Sequence, residues 1–140
     1  MPKPRSFDSL FHLVLMLKRK MHEQVETLNL GITPMHIRVI KIIDRKQHCT
    51  ANDIAQFLNR DKAQVTRLIN SLVEEQMIMR IPNPKDKRSQ LLSTTDSGID
   101  ILKKMEGLEK KIFQNMCHNL SEQQLDSFQE VTETMHQNLN

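Results

Sequence analysis

Residues 80–95 read RIPNPKDKRSQLLSTT and interrupt a chain that otherwise repeats apolar residues at helical spacing. Pro82 and Pro84 forbid a helix through this stretch, because each removes a backbone donor and clashes with the preceding turn. The flanking runs 77–81 and 90–94 are short and rich in residues that suit a pleated strand. They predict a two-stranded hairpin with Pro82-Asn83-Pro84 and the cations Lys85, Lys87 and Arg88 at its tip. The fold class expected is therefore mainly α with one small β-hairpin.

The helices around it are marked by apolar period and by caps. Residues 6–30 carry Phe7, Leu10, Val14, Leu17, Met21, Val25 and Leu28 at spacings of three and four, with Gly31 as the expected stop. From Leu10 to Leu17 the remaining faces are also apolar, so this helix needs cover on more than one side. Thr33-Pro34 opens a second helix with Met35, Val39, Ile42 and Ile43 inward. Thr50 to Asp53 and Asp61 to Gln64 each have capping-box spacing and begin two short helices broken at Asn59-Arg60. The first carries Ile54, Ala55, Phe57 and Leu58, and the second Val65, Leu68, Ile69, Leu72 and Val73. Two short helices joined by a tight turn make a helix-turn-helix. The outer face of its second helix offers Lys62, Gln64, Thr66, Arg67, Asn70 and Ser71, all able to hydrogen-bond. Thr95 caps a helix reaching about Met116, with Ile99, Leu102, Met105, Leu108, Ile112 and Met116 in its stripe. Ser121 to Gln124 caps the last helix, with Leu120 against Leu125 as a hydrophobic staple.

Charge is distributed unevenly along the chain. The net charge is +3, but residues 60–90 hold seven cations against four acids, and residues 96–140 hold four against eight. A polyanion would meet the first two thirds and avoid the acidic end. The apolar run LFHLVLML is too short to span a membrane and leads into KRK, as an ordinary helix does. Cys49 and Cys117 form no C-x-x-C, and the six histidines show no metal-ligand spacing. A reducing cytoplasm, no metal and no cofactor are expected. No glycine-rich phosphate loop and no nucleophile–base spacing points to an enzyme.

The run QVTRLINSLVEEQMIMR followed by NPKDKRSQLLSTTDSG resembles the MarR family of winged helix-turn-helix transcription regulators. Its Ile-x-Arg, Asp-x-Arg and Thr-x-x-Gly motifs match Ile78 to Arg80, Asp86 to Arg88 and Thr95 to Gly98. The chain departs from the family at Gln76, where Gly is usual, and at Lys87, where Arg is usual. The resemblance implies one domain over residues 1–140: a winged helix-turn-helix over 33–95, with dimerisation helices at 6–30 and 96–139. It implies a homodimer on double-stranded DNA that reads a pseudo-palindromic operator, acts as a repressor and answers to a small-molecule effector. On that footing Lys62, Gln64, Thr66, Arg67 and Asn70 face base edges from the major groove, while Lys85, Lys87 and Arg88 meet backbone or minor groove. Asp86 is expected to orient Arg88, and the resemblance implies that Arg80 pairs with Asp86 to stiffen the wing. His36, early in the second helix, stands where the family's effector cleft opens and is the ligand-binding candidate. The alternative reading is a helical protein–protein adaptor whose basic hairpin docks acidic partners without DNA.

Overall fold

In the computed structural model, residues 6–140 are described. They form α1 (Asp8–Thr27), α2 (Pro34–Arg45), α3 (Ala51–Leu58), α4 (Lys62–Glu74), β1 (Ile78–Pro82), β2 (Gln90–Thr94), α5 (Asp96–Met116) and α6 (Glu122–Leu139). The expected elements all appear in order, and the first five residues of the expected single domain lie outside the description. The chain divides into two compact units, one ending at Gly107 and one from Leu108 to Asn140.

The core of the first unit is aliphatic. Val39, Ile40, Ile54, Val65, Leu72, Ile78 and Met105 are almost wholly buried, and no polar or charged residue among those described joins them. Along α2 the buried residues are Ile37, Val39, Ile40 and Ile43, while Met35 and Ile42 are only half covered. Along α5 they are Gly98, Ile101 and Met105, so the inward face runs through Ile101 and leaves Ile99 and Leu102 at its edges. The reason is a close approach. A Cβ on Gly98 would stand 2.2 Å from the Met77 carbonyl oxygen, and that contact fixes which face of α5 turns inward.

Helix ends follow local chemistry. Thr50 accepts from the Asp53 N–H (3.2 Å) and Asp53 accepts from the Thr50 N–H (3.0 Å), a complete capping box. Ser121 and Gln124 make the same pair at α6. Leu120 is exposed beside that cap, and Leu125 is half-buried. Asp61 does not cap α4: its carboxylate makes no cap hydrogen bond. It stays in solvent at the helix N-terminus, where its charge still complements the macrodipole. Helix α1 ends three residues earlier than expected, at Thr27, because Asn29 rather than Gly31 takes the first left-handed position, with φ 53°. Asn59 and Asn119 do the same after α3 and α5, in keeping with the tolerance of Asn for that region. Gln76 fills the position where the family has Gly. With φ 58° it closes a Schellman motif, donating to Val73 O (3.0 Å) while the Met77 N–H reaches Leu72 O (3.0 Å).

Exposed apolar side chains gather at both ends of the sequence. In α1 only Val25 is buried, and Leu10, Phe11, Leu13, Val14, Leu15 and Met16 are exposed, as is Phe7 just before the helix. Helix α6 buries nothing, with Phe128, Val131, Met135 and Leu139 exposed. No helix among the described residues is long and apolar enough to cross a membrane.

Candidate nucleic-acid interface

Helices α3 and α4 are joined by Asn59, Arg60 and Asp61, and the Arg60 N–H returns to Ala55 O (3.1 Å) to tighten the turn. Val65, Ile69 and Leu72 anchor α4 in the core. Their burial leaves Lys62, Gln64, Thr66, Arg67 and Asn70 exposed on the other faces, as expected. Lys62, Gln64, Thr66 and Arg67 occupy the first two turns, and Thr66 turns its hydroxyl back to Lys62 O (2.9 Å). Phe57 of α3 does not join the core and is 69% exposed.

The hairpin β1–β2 is antiparallel, with Ile78 opposite Thr94, Arg80 opposite Leu92 and Pro82 opposite Gln90. A third segment supports it: the Leu92 N–H donates to Cys49 O at 2.8 Å, so the residue before the Thr50 cap of α3 bridges to the wing. Cys49 is buried there, and burial, with Asp53 nearby, pushes its thiol up to about 11. Such a thiol is protonated and unreactive at neutral pH.

The tip of the hairpin is ordered by its own polar side chains. Asn83 Oδ1 accepts from the Lys85 N–H (3.0 Å), and its amide donates to Ser89 Oγ (3.0 Å). Asp86 Oδ1 accepts from the Arg88 backbone N–H (2.9 Å). Asp86 thus orients the backbone of Arg88 and not its guanidinium, because a carboxylate two residues upstream reaches the N–H of a turn most directly. Lys85, Lys87 and Arg88 are exposed, and none forms an ion pair among the described residues.

Arg80 does not pair with Asp86. Its Nη2 donates to Asn70 Oδ1 of α4. Arg80 lies on the same side of the strand as Ile78 and opposite Leu92, toward α4, whereas Asp86 stands beyond the strand end. Asn70, expected to face DNA freely, is therefore tied to the wing strand. Sequence reasoning had no signal for this link, since ten positions separate the two residues.

His36 has a local role that its position alone did not disclose. It is the third residue of α2, and its Nδ1 accepts from the Thr33 N–H (3.0 Å) while its own N–H donates to Thr33 Oγ1 (3.4 Å). Half-burial lowers its pKa below 6.5, so the neutral ring that accepts this bond is the favoured form.

Thr95 joins the wing to α5. Its N–H donates to Met77 O (3.1 Å), its hydroxyl donates to Gln76 O (2.6 Å), and it accepts from the Gly98 N–H (3.1 Å). The Thr-x-x-Gly motif is thus a clasp holding the end of the hairpin against the end of α4. Among the described residues, no three His, Cys, Asp or Glu side chains are placed to hold a metal ion.

A short helix, a turn, a second helix with an exposed polar face and a basic hairpin directly after it define a winged helix-turn-helix protein. Residues 32–90 match the model of the MarR family. HTH-type transcriptional regulator BilQ of Clostridioides difficile (strain CD3) is 30% identical over 95 residues, which are 67% of this chain and 62% of BilQ. Multiple antibiotic resistance protein MarR of Escherichia coli (strain K12) is 28% identical over 140 residues, covering 94% of this chain and 88% of that protein. A crystal structure of a mutant MarR from E. coli complexed with operator DNA superposes with a TM-score of 0.74 at 26% identity, over 92% of each chain. The chain belongs to the MarR family.

Proposed function

We propose that this protein is a sequence-specific DNA-binding transcription regulator that works as a homodimer. Helix α4 enters the major groove with Lys62, Gln64, Thr66 and Arg67 toward base edges, and the wing tip lays Lys85, Lys87 and Arg88 against the neighbouring backbone or minor groove. The carrying observation is the tip itself. Asn83 and Asp86 use their side chains to order the loop, and the three cations they present are exposed and form no ion pair among the described residues. An ordered cationic finger beside a polar helix face matches a phosphate backbone, and the related MarR of E. coli has been crystallised with operator DNA.

The exposed apolar side chains of α1 and of α6 support association with a second copy. Two copies related by a two-fold axis read a pseudo-palindromic site. A repressor controlled by a small-molecule effector completes the reading, since a ligand that favours one spacing of the two heads shifts the fit to the half-sites.

A fluorescence anisotropy titration of the purified protein tests this on duplexes recovered from a random pool. Binding should be tight at low salt and fall steeply as salt rises. No binding to any duplex, together with salt-sensitive capture of an acidic protein, would replace this reading with the adaptor.

A further inference from the structure

The contact between Arg80 and Asn70 has a consequence for which bases the helix can read. An arginine has donors only, so the Asn70 atom that meets Arg80 Nη2 is its carbonyl oxygen, whichever way the amide is drawn. Asn70 shares one outward stripe with Lys62 and Thr66, at successive spacings of four along α4. Thr66 on that stripe has already turned its hydroxyl hydrogen to Lys62 O.

We propose that Arg80 is a positioning residue for base recognition: by holding the Asn70 carbonyl oxygen toward the wing strand it fixes the carboxamide so that the amide N–H donors are what Asn70 offers a duplex. A free carboxamide pairs with adenine by accepting from N6 and donating to N7 at once. With one lone pair of that oxygen occupied and the oxygen turned to the wing strand, Asn70 favours donation and suits an acceptor edge, such as N7 and O6 of guanine or O4 of thymine. The wing strand thereby sets the chemical polarity of a residue on the recognition helix, and the two parts of the reading head act together. This inference rests on the DNA-binding reading above.

The test compares the wild-type protein with Asn70→Ala, Arg80→Met and the double variant. Methionine keeps the apolar stem beside the strand and removes the donors. Thermal melting of each variant checks folding, with Arg80→Leu, which also lacks donors, as the substitute should Arg80→Met fail to fold. Affinities are measured on duplexes that differ from the selected site at single base pairs, and over a salt series. Asn70→Ala should flatten the preference at one base pair of each half-site by about three- to tenfold. The Arg80 variant should flatten the same base pair, the double variant should do no more than either single change, and the salt slope should stay as in wild type. Additive effects overturn the proposal, as does a wild-type preference retained without the Arg80 donors. A uniform loss of affinity with a salt slope smaller by about one also overturns it, because that marks Arg80 as a phosphate contact. If the wild-type protein binds no duplex at all, the DNA-binding reading itself falls and this inference falls with it.

Discussion

Gly98 and Gln76 face each other across the clasp that Thr95 makes, and they illustrate opposite backbone demands. At Gly98 there is no room: a Cβ would stand 2.2 Å from Met77 O, a backbone atom that cannot swing aside. Gly98→Ala should lower stability by at least about 2 kcal/mol, read from the urea midpoint. At Gln76 there is room but the wrong conformation, since a φ of 58° favours glycine. Gln76→Gly should raise stability by about 1 kcal/mol in the same assay. His36 adds a pH dependence. Its folded pKa lies below 6.5, so the unfolded chain binds more protons near that pH. Its contribution is present above about pH 6.5 and is lost as pH falls through that value toward the lower folded pKa. Gln also serves as the third residue of a capping box. His36→Gln should therefore retain the cap while losing stability less steeply than wild type between pH 7 and pH 5, measured by urea titrations at each pH.

Among the elements, the hairpin and the caps show what a sequence discloses and what it withholds. The boxes at Thr50 and Ser121 were legible because donor and acceptor lie three residues apart on one chain segment. The same spacing at Asp61 misled, because an exposed carboxylate can stay hydrated at little cost. The inward face of α5 was off by part of a turn, since it is set by the approach of Gly98 to Met77 and not by the densest apolar stripe. The Arg80–Asn70 link and the Cys49–Leu92 bridge join residues far apart in sequence, and only the folded hairpin brings them together. The wing cations were legible from composition, and their freedom from ion pairs among the described residues is what the structure adds. Replacing Lys87 and Arg88 together with Ala should weaken binding about equally for all duplexes and reduce the salt slope by about two, in an anisotropy titration.

For the whole molecule, the central claim is that two copies present two reading heads to one duplex. The apolar side chains left exposed on α1 and α6 are what a second copy would cover, and matched half-sites follow from two-fold symmetry. A hydroxyl-radical footprint of the full chain on a duplex selected from a random pool examines that claim directly. The account predicts two protected stretches related by a two-fold axis, with centres about 10 base pairs apart. A single protected stretch, or none at low salt, would contradict it.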